Sequence, residues 1–157
     1  MHTSVTNPTK QTYVDLKSAR VTEQLKIMKT IDDEGFCPFC PEHYSKSGLN
    51  PIIKQGKHWH IRKNRWPYKN TQAHFILIHN EHVEKLSEVS PQAAQEFFEL
   101  VQWIEQEYQI VGGAVGIRFG DITKNGATVR HLHAHLVSAK ITDRENPNYE
   151  PVRFRMG

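Results

Sequence analysis

Apolar and polar positions recur along this chain with two periods, one helical and one extended. In residues 15–31, Val21, Leu25 and Met28 fall at i, i+4 and i+7, which predicts an amphipathic helix. Gly35, following Asp32-Asp33-Glu34, predicts its C-cap. Residues 36–41 read as a tight knuckle around two cysteines. Residues 42–56, with Ser45, Ser47, Gly48, Asn50, Pro51 and Gly56, read as a loop. Trp59-His60-Ile61-Arg62 alternates like a strand, residues 64–68 turn away from it, and 73–79 form a buried strand around Phe75-Ile76-Leu77-Ile78. Ser90-Pro91 opens a second helix, serine at the N-cap and proline at N1. Its expected apolar face is Ala94, Phe97, Phe98, Val101, Ile104 and Tyr108, ending before Gly112-Gly113. Residues 114–119 and 129–139 predict two more strands. Val152, Phe154 and Met156 alternate with Arg153 and Arg155, as in a last strand or a partner-binding arm. Strands, a long helix, then more strands predict an α+β domain: a mainly antiparallel sheet of about five strands, with the long helix packed on it and an additional N-terminal helix.

Length and charge narrow the class. With 157 residues the chain suits one domain, 1–157, whose polar start at 1–11 reads as loose. A net charge of +3 is too mild to mark a dedicated nucleic-acid binder, yet it favours small phosphorylated ligands over cationic ones. The start lacks a basic stretch leading into an apolar run, and no apolar segment is long enough to span a bilayer. The expectation is a cytoplasmic protein without membrane partners. Its only cysteines, Cys37 and Cys40, suit a reducing compartment, where CxxC points to metal or redox chemistry before a disulfide.

Ten histidines change the picture, because imidazole titrates near neutrality, binds metals and attacks phosphorus. Three of them lie in His131-Leu132-His133-Ala134-His135. In a strand, alternate side chains share a face at steps of about 6.5–7 Å. The spacing therefore predicts three imidazoles in a row, with Leu132, Ala134 and Leu136 facing the core. Such a row can divide labour around a phosphate, one ring attacking while its neighbours donate hydrogen bonds. A solvated histidine-rich strand is the plain alternative.

The run His131–Val137 resembles the signature of the histidine triad (HIT) superfamily, His-apolar-His-apolar-His-apolar-apolar. Gly126-Ala127-Thr128-Val129 is similar to the segment these proteins carry just before the triad. His74-Phe75-Ile76-Leu77-Ile78-His79-Asn80-Glu81-His82 resembles their upstream strand, and Asn64-Arg65-Trp66-Pro67-Tyr68 a segment of the diadenosine-polyphosphate phosphorylases. The similarity spans residues 36–139. It implies that His133 attacks the α-phosphorus of a nucleotide, forming a nucleotidyl-histidine. His135 would hydrogen-bond the phosphate or leaving group, and His74 would complete the cluster. Thr128 and Gly126 would lie at the phosphate and Asn64 near the ribose. Histidine at the third triad position, where transferases carry glutamine, implies water as the acceptor. The expected enzyme is a nucleotide hydrolase acting on dinucleoside polyphosphates or related phosphoanhydrides and phosphoramidates. It would release a nucleoside monophosphate, need no cofactor for the chemical step, and assemble as a homodimer. Three departures touch the nucleoside pocket: His79 replaces a proline, Arg118-Phe119-Gly120-Asp121 replaces Asn-x-Gly, and the loop between Asn64 and His74 is longer.

Cys37-Pro38-Phe39-Cys40 places two thiolates within reach of one ion, with His43, His79, His82 and His131 as candidate partners. Buried reduced cysteines stabilising a turn are the alternative. The uridylyltransferase-type members of the superfamily, which this knuckle resembles, pair CxxC with two histidines. That resemblance implies His82 and His131 as the partners, and His79 rivals His82. The ion would be a structural Zn2+ with no open position. His58-Trp59-His60 reads as ordinary strand, with Trp59 bordering the base pocket, and Asp121 either binds ribose or caps a turn. Lys54, Lys57, Arg62, Lys63 and Arg65, with their aromatic neighbours, read as a solvated basic edge near a nucleotide pocket. Rival readings are a phosphorylase or nucleotidyltransferase, a non-catalytic nucleotide- or RNA-binding module, and a zinc-stabilised nucleic-acid-binding domain.

Overall fold

The computed structural model describes residues 11–156, so nearly all of the 1–11 stretch expected to be loose lies outside the described residues. Five strands form one antiparallel sheet: β1 Ile52–Gln55, β2 Trp59–Lys63, β3 Thr71–His79, β4 Ala114–Arg118 and β5 His133–Ala139, in the order β1-β2-β3-β5-β4. Besides helices α1 (Thr22–Glu34) and α2 (Pro91–Glu107), the chain forms the single turn α3 (Ile122–Asn125), between β4 and β5, and short 3-10 turns. The expected α+β architecture is present. No helix among the described residues is long and apolar enough to cross a membrane.

Strand period two gives the sheet two different faces. Phe75, Leu77, Leu132, Ala134 and Leu136 point to α2, whose Ala93, Phe97, Leu100 and Ile104 close a dry core over them. The helix therefore presents a stripe rotated from the expected one: Phe98 is 67% exposed, while Leu100 is buried. Ser90 caps α2 as expected, its Oγ accepting from the Ala93 N–H at 3.1 Å. Glu96, on the same helix, accepts the N–H groups of Lys57, His58 and Trp59 and so pins the β1–β2 turn to the core.

The other face carries Ile76 and Ile78, against which Met28, Ile31, Phe36 and Phe39 pack. Helix α1 starts later than its apolar residues suggest, at Thr22, because Val21 is extended and sits at the N-cap. Its buried stripe is Gln24, Met28 and Ile31, and Leu25 faces out. Gly35 does end it, in the left-handed conformation at φ 70°, its N–H on Ile31 O. The loop expected over 42–56 contains β1. Three of its four residues pair with β2, through an irregular register that breaks the alternation a strand pattern needs. The 129–139 strand is shorter than expected: Val129 only bridges Val14, and regular pairing begins at His133. Residues 151–156 form no strand and lie instead across the histidine-bearing face.

Candidate active site and the adjoining metal-ligand cluster

Register places the functional side chains on the α1 side of the sheet. Ile76 pairs with His135 and Ile78 with His133, so these histidines share the face of His74, Ile76 and Ile78. Arg118 lies opposite His133 and Gly116 opposite His135 on β4, and Arg62 opposite Ile76 on β2. The row of three imidazoles divides into two plus one. His133 and His135 stay together, ring centroids 5.2 Å apart, while His131 precedes the strand and turns to the cysteines.

Hydrogen bonds fix the tautomer of each ring. His133 Nδ1 lies 2.7 Å from the His131 carbonyl, which only accepts, so Nδ1 carries the proton and Nε2 keeps its lone pair. The Tyr68 N–H donates to His74 Nδ1 at 3.0 Å, which leaves the His74 proton on Nε2. That nitrogen lies 2.9 Å from His135 Nδ1, so His135 accepts there and holds its own proton on Nε2. Adjacent rings thus present one acceptor and one donor. Burial keeps them neutral: His133 is pushed down to about 4, and His74 to about 3 with Arg20 and Arg118 adding to the effect. His135 is held well below its usual value, again chiefly by burial.

These rings open on a cavity of about 180 Å3, also lined by Asn64, Gly126 and Thr128. His74 stands behind His135 rather than in the lining, and Asn64 Nδ2 lies 3.3 Å from its Nε2. Trp59 does not border the cavity; it is buried against α2 with its indole N–H on Ala93 O. Asp121 caps α3, accepting from the Thr123 N–H at 2.9 Å.

The larger surprise is charge. Lys17, Arg20, Arg62, Lys63, Arg65, Arg118, Arg153 and Arg155 line the cavity, and among the described residues no carboxylate does. Arg62 is 4% exposed and its Nη2 has no hydrogen-bond partner, while Nε and Nη1 serve His60 Nε2 and Asn50 O. Arg118 donates to Asn125 O, to Arg155 O at 2.7 Å and to Tyr68 OH at 3.1 Å, and stacks 4.0 Å from the Phe154 ring centre. Reading the sequence alone missed Arg20, Arg118 and the cavity-lining Arg153 and Arg155. The available signals were the Arg118 segment standing where Asn-x-Gly was expected and the alternating arginines near the end.

Four ligand atoms gather beside this site. Cys37 Sγ lies 3.4 Å from His131 Nδ1, Cys40 Sγ 3.4 Å from His82 Nδ1 and 3.8 Å from His131 Nδ1, and the two Nδ1 atoms are 3.2 Å apart. A tetrahedral ion with bonds of about 2.0–2.3 Å sets its ligand atoms about 3.3–3.8 Å apart. The donor set and its spacing fit zinc. His131 Nε2 donates to His79 O at 2.7 Å, and His82 Nε2 faces Glu84 Oε1 at 3.5 Å, which turns both Nδ1 lone pairs inward. His79 itself meets Glu81 and is no rival. His43 leans on Phe36 instead. Burial pushes both cysteine thiols up, the reverse of what a thiolate ligand needs, and a divalent cation is what would offset it. Phe39, inside the knuckle, touches the rings of His131 and His133 edge-on at 5.8 and 5.2 Å.

Known proteins share this fold. Residues 68–141 match the family model of the HIT domain, which leaves the knuckle and Asn64 outside the match. No curated protein sequence matches the chain. Among solved structures, it is similar to a histidine triad nucleotide-binding protein from Candida albicans (18% identity, TM-score 0.56, covering 68% of this chain and 76% of that one). A Zn-bound histidine triad family protein from Mycobacterium smegmatis is similar at 21% identity and TM-score 0.52, covering 73% and 83%. A HIT family hydrolase from Clostridium thermocellum is similar at 22% and 0.51, covering 69% and 92%. At these identities the likeness concerns the fold.

Proposed function

Since residues 68–141 are a HIT domain, we propose that this chain, as one domain, is a nucleotide phosphohydrolase working through a nucleotidyl-histidine. The observation that carries the reading is the pair of fixed tautomers, an Nε2 lone pair on His133 next to an Nε2–H on His135, at a cavity that no carboxylate of the described residues lines. His133 Nε2 attacks the α-phosphorus, and the bond from phosphorus to the leaving oxygen or nitrogen breaks. The departing group is stabilised by the His135 N–H and the surrounding cations. Attached through Nε2 and protonated at Nδ1, the imidazole is cationic, and the His131 carbonyl is placed to stabilise it. Water then attacks phosphorus, the N–P bond breaks, the nucleoside monophosphate leaves, and a proton passes to solvent. Histidine 135 at the third triad position, without a glutamine, favours water as acceptor over a second substrate.

Cys37, Cys40, His82 and His131 would hold a structural zinc, which supplies cross-linking and no open position for substrate. His131 would link the two sites, binding the ion through its ring while its backbone carbonyl orients His133. Homodimerisation belongs to the same reading. A chromatographic product screen across nucleotide adducts tests the activity, with acid-quenched trapping of the phosphohistidine. Nucleoside monophosphate is expected with or without added inorganic phosphate. A nucleoside diphosphate formed from that phosphate would instead make the enzyme a phosphorylase.

A further inference from the structure

Residues 151–156 form no strand and enter no step above, yet they lie over the histidine pair. Their seat is cut into the sheet. Gly116 pairs with His135 across β4 and β5, and the space its side chain would fill holds the Phe154 ring. A Cβ there would lie 2.7 Å from Phe154 Cζ. The same ring meets His135 edge-on at 5.6 Å between centroids and lies 4.0 Å from the Arg118 guanidinium carbon. Gly126, left-handed at φ 65°, admits the Arg155 carbonyl to within 2.6 Å of where a Cβ would stand.

The segment is well seated but weakly tied. Asn70 Nδ2 donates to the Glu150 carbonyl at 2.7 Å, and Arg118 Nη1 to that of Arg155 at 2.7 Å. Among the described residues, no backbone N–H from 150 to 156 meets a protein acceptor. Phe154 itself remains 36% exposed. Few buried contacts and few hydrogen bonds make a segment that opens at a low free-energy cost.

Charge opposes this seat. Arg153 and Arg155 ride on the segment and line the cavity that Arg20 and Arg118 also line. Among the described residues, no carboxylate pairs with any of the four. Burial, and then the like charges of Arg118 and Arg155, hold Arg20 below its usual pKa. Closing the segment therefore brings like charges together, and an anion in the cavity offsets that repulsion. A ligand that interacts better with one arrangement shifts the population toward it. We propose that residues 150–156 are an anion-gated strap, which lifts in the unliganded protein and closes over a bound phosphate group, with Phe154 covering His135. That a phosphate group enters the cavity rests on the function proposed above; the gate goes beyond it.

Chymotrypsin cleavage of the full chain after Phe154, followed by mass spectrometry, reads the lifted state, since such cleavage tracks the open population. Each rate is divided by that of the same bond in a free peptide of residues 148–157. Cleavage after Leu86, an exposed turn residue outside the strap, controls for global unfolding. Saturating AMP, GMP or inorganic pyrophosphate, with binding followed by calorimetry, should slow cleavage after Phe154 at least about fivefold and leave Leu86 unchanged. Arg153→Gln/Arg155→Gln removes the repulsion but keeps the ring and the Arg155-position carbonyl. Its cleavage should already be slow without ligand, which loss of a merely structural contact would not produce. Gly116→Ala crowds the ring from its seat, so cleavage should be fast with or without ligand. Wild-type cleavage unmoved by a bound anion overturns the gate. So does a double variant cleaved as fast as the unliganded wild type, an arm that decides even if none of the three anions binds. Turnover of adenosine 5′-phosphoramidate tests the phosphohydrolase reading separately, because a strap that fails to close leaves that turnover measurable.

Discussion

His131 and His133 are the same residue type two positions apart, yet they belong to different chemistries. His131 directs its ring at two cysteines and a histidine, and its partner Phe39 comes from the same knuckle. His133 directs its ring at a cavity of arginines, paired through His135 and His74. What separates them is the strand boundary: regular pairing starts at His133, so the residues before it are free to turn toward the cysteines. The two sites are joined by one hydrogen bond, from His133 Nδ1 to the carbonyl of His131. A metal-ligand cluster can therefore position a nucleophile without touching substrate.

The strongest way to divide the two sites is to remove the nucleophile. His133→Ala should lower turnover of any substrate by at least about a thousandfold, while metal content and thermal midpoint stay near wild type. Near-normal kcat in that variant would defeat the mechanism. On the other side, mass spectrometry of untagged protein should find one zinc per chain, and chelation should lower the thermal midpoint by well over about 5 °C. Because Phe39 and the His131 carbonyl both touch His133, the stripped protein should also lose activity, restored by added zinc. A metal-free protein of unchanged stability rules the assignment out.

A smaller effect is expected at Arg118, which anchors the C-terminal segment. Arg118→Lys keeps the charge but loses the forked geometry that reaches Asn125 O, Arg155 O and Tyr68 OH together. KM should rise severalfold with a lesser change in kcat, and limited proteolysis should cleave after Arg153 or Arg155 sooner than in wild type. Proteolysis and KM both unchanged would mean that the segment is held without Arg118.

The mildest test is acidity. Burial lowers His60 to about 4 and His74 to about 3, below their unfolded value. Below an unfolded pKa of about 6.5, the unfolded chain binds protons that the folded one refuses, so stability falls as pH drops toward the folded values. The slope is at most on the order of 1 kcal/mol per pH unit for each such ring. Denaturant midpoints at pH 7 and pH 4.5 should show the loss, and His60→Gln should shrink it. A midpoint indifferent to pH would contradict the neutral, buried rings.

Periodicity made the α2 side of the sheet legible, because that face is dry and its strands alternate cleanly. It failed at Phe98, where an aromatic residue lies out of the core, and at β1, whose irregular register hides a strand inside a loop-like stretch. The grouping of His133 with His135, and of Cys37 with Cys40, was legible, since strand and knuckle spacing place such side chains together. It was not legible at Arg20, Arg118, Arg153 and Arg155. They come from three separate segments, one of them an irregular tail that holds Arg153 and Arg155, and no local pattern links the three.

The sequence by itself determined which candidate groups the site holds, because a histidine run and a paired-cysteine knuckle bring their donor atoms wherever they fold. Tertiary structure alone decided which nitrogen of each ring bears a proton, which histidine leaves the row for the cysteines, and how many cations surround the phosphate site. Those outcomes depend on contacts between residues tens of positions apart, such as Tyr68 with His74 and His74 with His135. Only the packing of one sheet against its covering segments brings such groups within hydrogen-bonding reach.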